Sequence, residues 1–202
     1  MTGPRPTRLS TEEQAQTERF NRVYQQGLSG LMADINRHVC GCDYGATSWT
    51  TKVEADWIAG LLGLSKGDRL LDLGSGGGWP AVYFASEYGC DALMVDLPPD
   101  GLRIAMQRAA DEGVAERCAT LVADAAALPW PDGEFRKIHH ADLLCCLLRK
   151  QEALAECRRV AAPGACMVFT ILSLASGLSD NARATVVTAG PEFVDIPLIN
   201  LA

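Results

Sequence analysis

No apolar run in this chain approaches the ~18–20 residues that a helix needs to span a bilayer, which excludes a spanning helix as a reading of any segment. Basic charge is scarce and unclustered, with 18 Lys and Arg against 25 Asp and Glu and a net charge of −7. Nucleic-acid backbones and anionic membrane surfaces both demand clustered cations, so neither is an expected partner. The opening residues, Met1-Thr2-Gly3-Pro4-Arg5-Pro6, lack the apolar core of a signal peptide. Internal repeats and low-complexity blocks are absent as well. What remains is an ordinary globular composition, 48% hydrophobic and 21% charged. A chain of 202 residues can bury one substantial core with a small cap. Eight cysteines are present but scattered; Cys90, Cys118, Cys157 and Cys166 sit in or beside apolar segments, where thiols act as small hydrophobes. Such a core needs no disulfide staples, and the expected compartment is the reducing cytoplasm.

The densest signal is Asp72-Leu73-Gly74-Ser75-Gly76-Gly77-Gly78, which follows the apolar Leu70-Leu71 and leads into a helix-like segment at Pro80. A strand, a glycine turn and a helix start in that order form a nucleotide cradle, because glycine lets backbone approach a ligand closely. Two ligands fit this pattern. Gly76-Gly77-Gly78-Trp79-Pro80-Ala81 satisfies the dinucleotide spacing, and Asp96 stands 20 residues beyond Gly76, as a ribose carboxylate does in NAD enzymes. Asp72 points the other way: it would repel a pyrophosphate and attract the ammonium of an amino-acid-bearing nucleoside.

Periodicity organises the rest. Ser10-Thr11-Glu12-Glu13 fits a capping box, and the spacing predicts a helix to about Gln26 with Phe20, Val23 and Tyr24 on one face. A second helix is expected over 28–38, a linker over Cys40–Gly45 and a third helix from Thr50 to Leu62. Strands then alternate with helices: Arg69–Leu73, helix Pro80–Tyr88, Asp91–Asp96, helix Gly101–Glu112, Ala119–Val122, Phe135–Ala141, helix Gln151–Val160, a Pro163-Gly164 turn and Ala165–Leu172. That alternation predicts an α/β fold with a doubly wound, mostly parallel sheet. Ligands in such sheets bind beyond the carboxyl ends of the strands, where Asp72, Asp96 and Asp124 all fall.

The ordered motifs resemble those of class I S-adenosylmethionine-dependent methyltransferases of the small-molecule kind. Leu71–Gly78 resembles the family's first motif and Val95-Asp96-Leu97 its acidic second. Ala123-Asp124-Ala125 with Leu128-Pro129-Trp130-Pro131-Asp132-Gly133-Glu134-Phe135 resembles the third, His140-Ala141-Asp142-Leu143-Leu144 the fourth, and Arg158–Ala165 the turn before strand five. The resemblance covers roughly residues 50–175. It implies S-adenosyl-L-methionine as cofactor, bound by Asp72, Gly74, Ser75, Gly76, Gly78, Asp96, Leu97, Asp124, Ala125 and Ala141. Asp96 would hold the ribose, Asp124 and the Ala125 backbone the adenine, and the backbone about Ala141 the methionine moiety. Residues 1–49 would form a helical cap or lid, 50–175 the cofactor-binding core and 176–202 a tail.

The chain departs from the family at its end. After Leu174 only 28 residues remain, too few for the usual strands six and seven, although Ala184–Val187 and Phe193–Ile199 read as short strands. An open strand-five edge would need covering by the tail, a partner chain or a second copy in a homodimer. His139 and His140 are adjacent near the end of strand four and so face opposite ways. His140, nearer the strand end, is the candidate that faces the substrate cavity as a general base. Tyr24, Tyr44, Trp49-Thr50-Thr51, Trp79 and Trp130 are candidates to line the site, each with a plain packing or capping alternative. His38-x-Cys40-x-Cys42 lacks a second ligand pair, so no metal is expected. Cys145-Cys146 is a thiol pair without an aligned role. The reading is methyl transfer to a small molecule by in-line displacement. Two rivals stay open: an NAD-dependent oxidoreductase, and a non-catalytic cofactor-binding or oligomerisation module.

Overall fold

The computed structural model describes residues 9–27, 30–42, 48–172 and 177–189. Its centre is strand β1, Arg69–Leu73, in which every residue after Arg69 is buried. Burial on both faces is what a parallel strand covered by helices requires. Around it lie β2 (Asp91–Asp96), β3 (Cys118–Val122), β4 (Phe135–Ala141) and β5 (Ala161–Thr170), all parallel, in the order β3-β2-β1-β4-β5. The chain winds outward from β1 to β3, then returns to the other side of β1 with β4. Between β1 and β4 the winding reverses, and a crevice opens there at the carboxyl ends of the strands.

Helices fill both faces. Residues α1 (Thr11–Gly27), α2 (Gly30–Cys40) and α3 (Lys52–Leu62) precede the sheet; α4 (Ala81–Tyr88), α5 (Pro99–Asp111) and α6 (Lys150–Val160) make the crossovers; α7 (Asp180–Ala189) follows. Alternation along β1 divides the core. Leu70 joins Ile58, Leu62 and Phe84 under α3 and α4, whereas Leu71 and Leu73 join Val95, Ile138, Cys157 and Val160 under α6. Met94 of β2 packs with Val82 of α4 and Ala105 of α5. Helix starts follow local chemistry. Ser10 and Glu13 exchange hydrogen bonds of 2.7 and 3.1 Å as the sequence predicts. Thr51 and Glu54 form a second capping box, so Thr51 rather than Thr50 caps α3.

Two elements differ from expectation. Residues 184–187 lie inside α7 and not in a strand: Asp180 sits favourably in the first turn and the Ser179 hydroxyl accepts from the Ala182 amide. Strand β5 begins at Ala161, ahead of the expected Ala165, because Pro163-Gly164 is absorbed as an irregularity. The pairing jumps from Phe135↔Ala161 to Lys137↔Cys166, with Gly164 at φ 73°. The expected strand 193–199 and Tyr44 lie outside the described residues. Among the described residues the sheet has five strands and β5 pairs only with β4.

Candidate active site

Register places the site. Leu73 is level with Val95 on one side and His140 on the other, so the next residues, Gly74, Asp96 and Ala141, share one rim. All three line one open cleft. Ser75, Leu97, Pro98, Asp142, Leu143 and Trp79 continue its floor and walls. Helix α1 closes another side with Gln16, Thr17, Phe20 and Tyr24.

The glycine turn is set by packing at close range. A Cβ on Gly74, at φ 65°, would meet Leu143 Cδ1 at 2.7 Å, and one on Gly78, at φ 91°, would meet Val82 Cγ2 at 2.8 Å and Ala105 Cβ at 2.9 Å. Only glycine gives that path. Ser75 locks the turn to the strands. Its hydroxyl donates to the Asp72 carbonyl at 2.8 Å and accepts from the Val95 amide at 3.0 Å. The side chain is thereby committed to structure, and its backbone faces the cleft.

Asp96 is the central acid. Its Oδ2 accepts from the Gly76 amide at 2.8 Å and from the Tyr24 hydroxyl at 3.4 Å, and its Oδ1 accepts from the Leu97 amide at 2.8 Å. The residue is half-buried, open only to the cleft. Loss of solvation outweighs these donors, and with Asp72 nearby it pushes the carboxyl up to about 6. Asp142 is the second cleft acid. It stands at φ 53°, unusual for a residue other than glycine, and there it ties three segments together. Its carboxylate accepts from the Trp49 amide at 3.1 Å, the Ser48 hydroxyl at 3.4 Å and the Thr170 hydroxyl at 2.9 Å. Asp96 and Asp142 are the only charged side chains lining the cleft among the described residues.

Other expected residues are placed elsewhere. Asp72 is 1% exposed and its Oδ1 accepts from His139 Nδ1 at 2.6 Å, so it faces the core rather than the ligand. Gly76 and Gly78 shape the turn without lining the cleft. Asp124 is also turned away: Oδ1 accepts from the Ala126 amide, and Oδ2 pairs with Arg149, which also grips Glu13 of α1 at 2.6 Å. Ala125 is buried beside it. The expectation that His140 faces the cavity does not hold. His140 is 1% exposed and stacks on Phe169 at 4.6 Å, outside the cleft lining. Burial, with His139 adjacent, drives its pKa down to about 3, which leaves a neutral and feeble base. Trp79 lines the cleft and donates to the Thr50 carbonyl at 2.7 Å. Trp49 is 63% exposed, and Trp130 anchors its loop against Phe135 at 5.3 Å. His38 bonds back to the Asp34 carbonyl along α2.

Sequence reasoning missed Asp142, Gln16 and Arg149 as contributors. Asp142 had a readable signal, an acid just past the end of β4, as Asp96 is at the end of β2. Gln16 and Arg149 had none, because their roles depend on how α1 lies against the sheet.

Comparison with known proteins agrees with this architecture. Residues 70–164 match a family described as a methyltransferase domain. Norajmaline N-methyltransferase of Rauvolfia serpentina is 29% identical over 172 residues, which cover 80% of this chain and 59% of that protein. A ubiquinone/menaquinone biosynthesis C-methyltransferase of Azotobacter vinelandii is 35% identical over 52% of this chain and 42% of its own length. The chain thus spans about half the length of these relatives. Among solved structures, phosphoethanolamine N-methyltransferase 2 of Haemonchus contortus, with phosphomonomethylethanolamine and S-adenosylhomocysteine, superposes with a TM-score of 0.71. It is 21% identical, and the match covers 89% of this chain and 41% of that one. Residues 70–164 are thus similar to a methyltransferase domain, and the fold is one shared with these solved structures.

Proposed function

We propose that the chain binds S-adenosyl-L-methionine in this cleft and transfers its methyl group to a small-molecule acceptor. The observation that carries the reading is Asp96, a carboxylate at the end of β2 that opens into the cleft beside the glycine turn. Each oxygen already accepts a backbone amide and keeps lone-pair capacity for a ribose hydroxyl. The fit extends to charge. A cleft lined, among the described residues, by two carboxylates and no cation suits a cationic ligand and disfavours a pyrophosphate, which argues against NAD.

When bound, S-adenosylmethionine supplies a methyl group on a sulfonium, already activated toward displacement. The chain then has to bind, orient and exclude water. In this reading Gly74 and Ser75 bring backbone to the ligand, and Asp96 with Leu97 holds the ribose side. Ala141 and Asp142 border the methionine side, and Phe20, Trp79, Leu143 and Leu147 keep the reacting atoms dry. Asp124 and Ala125 serve the adenine end by fixing the loop after β3 rather than by side-chain contact. Residues 1–49 act as the cap and 50–175 as the core. Because His140 is sealed and neutral, acceleration rests on positioning rather than on proton abstraction by that imidazole. All eight cysteines are free thiols, which suits a reducing cytoplasm. Among the described residues no helix is long and apolar enough to cross a membrane.

Calorimetric titration with S-adenosylhomocysteine, and with NADH as control, tests the reading. Binding of the first alone is expected. The affinity should depend on pH through Asp96, whose carboxyl titrates near 6. Ribose hydroxyls donate to the carboxylate form, so binding is complete above that value and lost below it. At pH 5 the affinity should be about tenfold weaker than at pH 8. NADH binding with no response to S-adenosylhomocysteine would overturn the proposal.

A further inference from the structure

The first turn after β4 carries two adjacent cysteines that neither the fold nor the proposed chemistry uses. Cys145 and Cys146 lie in the 3-10 turn Leu144–Cys146, with their sulfurs 3.7 Å apart. Cys145 is 1% exposed and its thiol donates to the Asp142 carbonyl at 2.8 Å. Cys146 lines the cleft beside Leu147. The Cys146 carbonyl accepts from the Gln16 side chain of α1, so this peptide joins the thiol pair to the wall that α1 provides. Asp142 borders the cleft on the other side of the same turn.

We propose that Cys145 and Cys146 are a reversible modification site, closing to a vicinal disulfide with a peroxide oxidant and releasing α1 from the cleft when they do. This rests on the functional reading above only for its effect on cofactor binding. The step balances with hydrogen peroxide. Cys145 as thiolate attacks one peroxide oxygen, the O–O bond breaks and water leaves, giving a sulfenic acid. Cys146 then attacks that sulfur, the S–S bond forms and a second water leaves. Two thiols are oxidised and one peroxide is reduced to two waters. A hydrogen bond from Cys146 lowers the Cys145 thiol below its ordinary value, against the burial that raises it.

Geometry explains why the product would be a switch and not a staple. The sulfurs must close from 3.7 Å to about 2.05 Å. Adjacent Cα atoms stand about 3.8 Å apart across a trans peptide, below the ~4.4–6.8 Å of ordinary disulfides. The ring forms only by twisting the peptide between Cys145 and Cys146, which turns the Cys146 backbone and with it the carbonyl that accepts from Gln16. The Gln16 contact breaks, and a strained disulfide is easily reduced.

The test uses the full chain, reduced, treated with equimolar peroxide and then re-reduced with dithiothreitol. Tryptic peptide 138–149 contains only these two cysteines. It should lose two hydrogens, about 2 Da, and regain them on reduction. Deuterium exchange across 11–27 should rise in the oxidised form and fall back. S-adenosylhomocysteine affinity should drop at least about tenfold and recover. Cys145→Ser should abolish all three responses while leaving binding by the untreated chain unchanged. If that variant folds poorly, the three states of the unaltered chain decide alone. Absence of the mass change, or a mass change with exchange unaltered in 11–27, would overturn the inference. A reduced chain that binds no S-adenosylhomocysteine would defeat the functional proposal, while mass and exchange still judge the thiol pair.

Discussion

Replacing Asp96 with alanine should weaken S-adenosylhomocysteine binding by about 100- to 1000-fold, two lost hydrogen bonds to a charged group at ~1.5–2 kcal/mol each. Stability should respond differently. Asp96 has a folded pKa near 6, above the ordinary 3.8. Between those values the folded state holds more protons than the unfolded one, so the group's contribution improves as pH falls and is unfavourable above about 6. At pH 8 the carboxylate is therefore a cost to the fold, partly offset by the Gly76 and Leu97 amides that it satisfies. The alanine variant should melt close to the parent while binding collapses. Asp96→Asn supplies the control: it keeps one acceptor, should bind weakly, and should lose the pH dependence between 5 and 8. Calorimetry and thermal melting on the same samples separate these outcomes. Retained affinity in Asp96→Ala would remove the ribose assignment.

How far the sequence reached can be traced through particular residues. Strands β1, β2 and β4 were legible to the residue, β1 and β2 as short, mainly apolar runs and β4 as the next segment in the alternation of strands and helices. The Ser10–Glu13 cap was legible because capping is local. Asp96 was legible at the carboxyl end of its strand because alternating elements imply a parallel sheet, whereas Gly74 and Ala141 followed from the resemblance and their shared rim only from the register. What sequence could not supply was side-chain direction at single positions. Asp72 and His139 both follow the strand pattern, yet register makes them partners and turns both inward. The choice between His139 and His140 failed for the same reason: both alternating faces of a buried central strand are covered, so neither faces solvent. Asp124 read as a ligand on position alone, but Arg149 reaches its carboxylate from the start of α6. Residues 184–187 read as a strand from Thr and Val, and a strand needs a neighbour that local composition cannot show.

The largest effect on folding should come from Asp72 itself. Its Oδ1 and His139 Nδ1 are 2.6 Å apart, with both side chains at 2% exposure or less. Phe84 packs edge-on against the imidazole at 5.7 Å. Asp72→Ala leaves a buried ring N–H without its acceptor. Breaking one side of such a pair costs about 3–5 kcal/mol. For a chain of this size, about 2–4 °C is lost per kcal/mol, so the melting point should fall on the order of 10 °C. His139→Ala should cost a similar amount, since it leaves the carboxylate unpaired. The double variant should cost far less than the sum, because each change removes the reason for the other's penalty. Thermal melts of the four proteins at pH 8 measure that coupling. Additive losses would mean that the two groups merely neighbour each other and that Asp72 serves the glycine turn by backbone alone. A strong coupling would assign the acid that opens the glycine motif to the core, beneath a site whose ligand contacts begin one layer above it, at Gly74 and Asp96.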